Sequence, residues 1–143
     1  MRESKRWAFI LDKDEFVRLS LNKILKKYGF EVEEIEDLSQ LEQRKKEISE
    51  GMILADMEVE AMEEWLPFLK KWSNRFILMS PLVTDDYTAR VKRIGIPRII
   101  RKPVDPRMLR RVIREMPFPG EGRVPPLGKE KRMPVDEKGG EGG

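Results

Sequence analysis

A chain with no histidine and no cysteine has a narrow choice of chemistry. It lacks the usual general base, the commonest metal ligand and any phosphohistidine of its own. Disulfides, thiolate nucleophiles and zinc–sulfur sites are excluded as well. Carboxylates, hydroxyls and lysines remain. Five such groups stand within three residues after apolar runs: Asp12 and Asp14 after residues 7–11, Asp56 after 52–55, Ser80 after 76–79, and Lys102 after 99–100. Each alone has a plain reading. Asp12 or Asp14 caps a helix, Asp56 is a solvated loop acid, Ser80 caps a turn, and Lys102 before Pro103 is a surface lysine. Brought to one place, they make a pocket of acids, a hydroxyl and a cation.

The elements that would position them follow from periodicity. Residues 7–11, 52–55 and 76–79 are continuous apolar runs, as expected for strands covered on both faces. Residues 30–32 are a short alternating strand, and Ile99-Ile100 begins a fifth. Between them, Val17, Leu21, Ile24, Leu25 and Tyr28 recur at helical spacing and stop at Gly29. Asp37 and Gln40 form a capping box for a second helix carrying Leu38, Leu41 and Ile48. Met62, Trp65, Leu66, Leu69 and Trp72 mark a third, with Pro67 tolerable only near a first turn. A fourth ends at Gly95. Asp105-Pro106 opens a fifth, with Leu109, Val112, Ile113 and Met116 on one face. Five strands alternating with five helices predict an α/β fold: a five-stranded parallel sheet with helices on both faces. Ligands in such folds sit at the carboxyl ends of the strands, where the five polar residues fall. The chain of 143 residues suffices for one domain, 1–116, and a tail, 117–143. The tail holds 7 of the 10 glycines and 5 of the 10 prolines, has no apolar period, and reads as flexible.

Over residues 6–116 the sequence resembles the receiver domain of two-component response regulators, a (βα)5 flavodoxin-like fold. Four blocks carry the resemblance. The first is Phe9-Ile10-Leu11-Asp12-Lys13-Asp14-Glu15, followed by Arg18, Leu21, Leu25 and Gly29. The second is Ile53-Leu54-Ala55-Asp56, the third Ile77-Leu78-Met79-Ser80 and the fourth Lys102-Pro103. The resemblance implies a stand-alone receiver in a phosphorelay, a signalling module rather than an enzyme. Asp56 would accept a phosphoryl group from a histidine kinase or phosphotransfer protein. Ser80 and Lys102 would contact that group. Asp12, Asp56 and the backbone carbonyl of Glu58 would hold Mg²⁺, with Asp14 as an alternative ligand; the ion favours carboxylates, carbonyls and water.

Three departures from the family pattern bear on this. Lys13 occupies the second acidic position of the metal site, removing a ligand and adding a positive charge. Glu60 and Glu64 replace a Pro and a Gly, and Ile99 replaces an aromatic. The alternative is therefore a pseudo-receiver, a protein-binding module that works without phosphorylation. A third reading starts from Ile10-Leu11-Asp12-Lys13-Asp14, which looks like the Asp-x-Asp motif of haloacid dehalogenase-type phosphatases, with Ser80 and Lys102 as its further motifs. It leaves Asp56 without a role. Asp12, Asp14 and Asp56 should also repel one another. A Lys13 side chain turned inward would relieve that repulsion.

The formal charge of +3 hides two opposed regions. Residues 31–64 contain 13 acids and 3 bases, while residues 90–114 contain 10 bases and a single acid. Arg90, Lys92, Arg93, Arg98, Arg101, Arg107, Arg110 and Arg111 lie on the fourth helix, fifth strand and fifth helix. Receivers commonly signal or dimerise through that surface, so it is expected to meet an output partner or a second copy. No DNA-binding motif accompanies the basic residues, so specific nucleic-acid binding is not expected. No apolar run approaches the roughly 18 residues that cross a bilayer, and the N-terminus lacks a signal-peptide core. The expected location is cytoplasmic.

Overall fold

The apolar runs become strands because both of their faces are covered. The computed structural model describes residues 6–118. Its strands are β1 (Arg6–Leu11), β2 (Phe30–Ile35), β3 (Met52–Asp56), β4 (Phe76–Ser80) and β5 (Ile99–Arg101). They form one sheet in the order β2-β1-β3-β4-β5, and each pairing is parallel. Alternate residues feed two cores. Phe9, Ile53, Ala55, Phe76 and Leu78 pack on one face, and Ala8, Ile10, Met52, Leu54, Ile77 and Met79 on the other.

The helices are α1 (Glu15–Lys27), α2 (Lys45–Ser49), α3 (Val59–Glu64), α4 (Leu66–Lys71), α5 (Asp85–Ile94) and α6 (Pro106–Glu115). Leu21 and Leu25 of α1 and Leu109 of α6 cover one face of the sheet. Ile48, Met62, Leu69, Tyr87 and Val91, from α2 through α5, cover the other. The five-stranded, doubly covered parallel sheet expected from the sequence is the architecture observed.

Two helices differ from expectation. The capping box at Asp37 and Gln40 is present, but it starts a 3-10 turn (Leu38–Leu41), and α2 begins only at Lys45. The expected third helix is divided at Trp65. Pro67 has no N–H to donate, so it is accommodated in the first turn of α4. Leu38, Leu41, Ile48, Met62 and Leu69 are buried all the same.

At the amino edge of the sheet, the first two residues of the segment read as tail are held to the domain, exposed Pro117 by its carbonyl and Phe118 by burial. Phe118 is buried edge-on against Phe30, under the guanidinium groups of Arg6 and Arg75. Arg75, itself buried, donates to the carbonyls of Gly51 (3.0 Å) and Pro117 (2.6 Å). The rest of the tail, 119–143, lies outside the described residues.

Candidate functional site

The parallel register brings the five polar residues to the carboxyl edge. Leu11 pairs with Ala55 and Asp56 with Met79, so Asp12, Asp56 and Ser80 end three adjacent strands. The Lys102 amide donates to the Ser80 carbonyl (2.9 Å), which places the lysine beside the end of β4.

Lys102 Nζ donates to Asp12 Oδ2 at 2.8 Å and to Asp56 Oδ2 at 2.5 Å, joining residues 90 and 46 positions away in the chain. Its ammonium is pulled down by burial, but the hydrogen bonds and charges of Asp12 and Asp56 outweigh that and hold it above the ordinary lysine range. The two carboxylates are not equivalent. The Asp12 side chain is 2% exposed and that of Asp56 28%. Asp12 Oδ1 also accepts from the Asp14 amide (2.8 Å), and the Asp12 carbonyl accepts from Arg18 Nη1 (2.7 Å). Asp12 is built into its loop. Asp56 is anchored by Lys102 and otherwise open to solvent.

Asp14 is the N-cap of α1, accepting from the amides of Phe16 and Val17. Lys13 is exposed at the rim of a groove that Asp12, Glu34, Glu36, Asp37, Asp56, Glu58 and Glu64 make acidic. Its inward orientation, the condition for relieving the aspartates' repulsion, is not observed; Lys102 fills that role. Ser80 is buried, and its hydroxyl is engaged locally, donating to the Leu82 carbonyl and accepting from the Leu82 amide, both at 3.1 Å.

For a divalent cation, this donor set is thin. Among the described residues no group of three or more acids is arranged to hold a metal. Lys102 spans the two central carboxylates, Asp14 serves α1, and the Glu58 carbonyl already accepts the first helical bond of α3, from Met62. These residues do not fit a tightly held Mg²⁺.

One residue of the site was not singled out from sequence. Tyr87, in the first turn of α5, sits at a core position, in helical register with Val91. Its hydroxyl is the one buried side-chain polar atom without a hydrogen bond among the described residues. Burial, and then the charge of Asp56, push the phenol up to about 12; the Ser80 side chain draws it the other way, although the pair does not meet hydrogen-bond geometry.

No protein-family model matches the chain, and neither does any curated protein. Solved structures match its fold. The response regulator StyR gives a TM-score of 0.63 at 24% identity, covering 79% of this chain and 59% of StyR. A response regulator from Thermotoga maritima gives 0.63 at 17%, covering 79% and 98%. Vibrio cholerae chemotaxis protein CheY4 gives 0.63 at 18%, covering 79% and 99%. The chain therefore has the CheY-like receiver fold of response regulators. It spans 59% of the length of StyR but nearly the whole of the other two.

Proposed function

We propose that this chain is a receiver that accepts a phosphoryl group on Asp56 from the phosphohistidine of a histidine kinase or phosphotransfer protein. The observation that carries the reading is the Lys102 bridge. A half-open carboxylate and a buried one share a single cation at the carboxyl edge, beside a buried serine hydroxyl. An Asp56 oxygen attacks phosphorus, the P–N bond breaks, and its electron pair stays on the partner's imidazole. The product is an acyl phosphate. A carboxylate needs no deprotonation to attack, so the absence of histidine is no handicap. Such transfers depend mainly on positioning and charge neutralisation. Here Lys102 supplies the charge, keeping Asp12 while exchanging an Asp56 oxygen for one on phosphorus.

A protein donor suits the rim. The large exposed apolar residues of the described chain, Phe16, Leu19, Leu82 and Met108, lie in α1, the β4–α5 loop and α6, elements that follow Asp12, Ser80 and Lys102. An output partner or second copy would meet the basic face. Arg90, Lys92 and Arg93 of α5, Arg101 of β5, and Arg107, Arg110 and Arg111 of α6 are exposed, whereas Arg98 is half-buried and donates to the Asn74 carbonyl. No described helix is long and apolar enough to cross a membrane, and a cytoplasmic setting accords with the proposed kinase partner.

The second reading, a phosphorylation-independent binding module, is favoured by one arrangement: Lys102 already neutralises the pocket, and Asp14 is committed to its cap. The same commitment counts against the phosphatase reading, whose Asp-x-Asp motif needs that second acid. Incubation with acetyl phosphate separates the first two readings. Phosphoacceptance gives a mass gain of one phosphoryl group that hydroxylamine removes and Asp56→Asn prevents. No gain after prolonged incubation assigns the chain to the second.

A further inference from the structure

Helix α6 keeps one side for the core and leaves the other without partners. Leu109, Val112 and Ile113 pack against the sheet, while Arg107, Arg110, Arg111 and Arg114 recur at i, i+3, i+4 and i+7 on the opposite side. All four arginines are exposed, and among the described residues none forms an ion pair. Arg18, Arg44 and Arg90, by contrast, each hold a glutamate. A set of acids equally without ion pairs lies on the other face of the sheet. Glu36, Glu58 and Glu64 line one groove of about 680 Å³ with the half-buried Trp65, and Glu60 stands with Glu64 on α3. Met62 fixes α3 to one core and Leu109 fixes α6 to the other, so the sheet holds the two surfaces of one chain apart.

We propose that the arginine side of α6 docks, head to tail, on the glutamates of α3 and its groove in a second copy of this chain. This narrows the partner of the basic face to another copy and goes beyond the phosphoacceptor reading, on which it does not rest. A two-fold dimer through α6 would set arginines against arginines, and like charges brought together across an interface are costly. Opposite charges face each other only where unlike surfaces meet, which makes the contact heterologous. The side chains suit it. A guanidinium is weakly hydrated, bonds a carboxylate through two N–H groups at once, and stacks on an aromatic ring such as Trp65. Each docked copy leaves one stripe and one groove free, so association continues past two copies unless it closes into a ring.

Sedimentation equilibrium of the unphosphorylated full chain tests this, at low and high salt, with two neutralised variants. Arg110→Gln with Arg111→Gln and Arg114→Gln removes the stripe. Glu58→Gln with Glu60→Gln and Glu64→Gln removes its acceptors. Every substituted side chain is exposed, and circular dichroism with thermal midpoints checks that both variants fold. At about 0.01 M salt the average mass of the unmutated chain should rise with concentration past that of two copies. At about 1 M salt the Debye length falls from about 30 Å to about 3 Å, and self-affinity should drop by about tenfold or more. Each variant alone should stay a single copy. Mixed in equal amounts they should form a one-to-one pair and nothing larger, because each pair holds one intact stripe and one intact acid surface. An unmutated chain that stays single up to about 1 mM overturns the proposal. So does self-association of either variant, which puts the contact elsewhere, and so does a mixture that fails to pair. A single chain that binds a DNA duplex through the stripe also overturns it, and assigns α6 to nucleic acid. Phosphoryl uptake on Asp56 is scored separately, so failure of that reading and failure of this one are told apart.

Discussion

The two edges of the sheet each hold a cation, buried at one and part-buried at the other, and the partners differ. At the amino edge, Arg75 donates to neutral backbone carbonyls, those of Gly51, Asn74 and Pro117. At the carboxyl edge, Lys102 donates to two carboxylates, one buried and one open to water. Carbonyls that belong to the backbone cannot be exchanged without unfolding. Carboxylate oxygens on a half-exposed side chain can be traded for other anions. The first arrangement is a clasp, and the second is a socket. The side chains match: a planar guanidinium reaches several fixed acceptors at once, while an ammonium is a compact charge on a flexible stem. Burial, and then the charge of Arg98, draw the Arg75 value down, whereas the carboxylates hold Lys102 up.

Breaking the clasp should have the largest effect. Arg75→Met leaves the Gly51 and Pro117 carbonyls without their donor and uncovers Phe118. Two charge-assisted bonds, one to a buried acceptor and one to a part-buried one, place the loss at about 3 kcal/mol. Urea denaturation checks it, and a loss under about 1 kcal/mol would show that water replaces the guanidinium freely. Phosphoryl uptake on Asp56 should survive, since the two edges share no side chain.

Removing the socket's cation comes next. Lys102→Met leaves Asp12 and Asp56 facing each other, at a cost of about 2 kcal/mol, reduced from the fully buried case because Asp56 is partly solvated. The pH profile gives the sign. Because the folded lysine value lies above the unfolded one, near 10.4, its contribution is fully present below that pH and is lost as pH rises through the folded value. The unmutated chain should therefore lose stability in the alkaline range more steeply than Lys102→Met. Parallel curves would show that the bridge contributes nothing in solution.

How much of this was legible in the sequence follows the same division. The strands and their carboxyl-end residues were readable because apolar runs and the polar residues after them are local features. Asp12, Asp56 and Lys102 do meet, and Ser80 ends the strand next to Asp56. Asp14 illustrates an ambiguity that sequence left open, since an acid two residues after a strand is equally placed to cap a helix or face a pocket; here it caps. Lys13 could be placed in the motif, but not its side chain's direction, which turns on packing. Arg75 and Phe118 were illegible because their partners are backbone groups far along the chain, and carbonyls leave no signature. Tyr87 reads as one more core position in α5. Only its hydroxyl, buried without a hydrogen bond, sets it apart.

A smaller effect concerns metal. With two bridged carboxylates, an occupied Glu58 carbonyl and Lys13 nearby, Mg²⁺ should bind no tighter than about 10 mM, since nearby positive charge cancels much of the carboxylate attraction. Because Lys13 is exposed, solvent screens its part. Lys13→Asp, which removes one charge and adds its opposite, should tighten binding by about tenfold rather than by several decades. Trp65, which lines the same groove, offers a fluorescence readout. Saturation near 1 mM in the unmutated chain would contradict this account of the donor set.

The smallest effect is the most specific to a socket. Asp56→Asn removes the carboxylate that does least for the fold: its side chain is 28% exposed, and among the described residues its one hydrogen bond comes from Lys102. The lysine keeps Asp12, the repulsion between the acids disappears, and the two consequences oppose each other. Stability should therefore change by less than about 1 kcal/mol in either direction. Asp12→Asn should cost more, because Asp12 is 2% exposed and also holds the Asp14 amide that leads into α1. Denaturation of the two variants side by side tests the order. If Asp56→Asn is the more damaging, Asp56 is a structural acid and Lys102 a second clasp. If it is nearly silent in stability while abolishing phosphoryl uptake, the carboxyl edge has kept its most exchangeable group for chemistry.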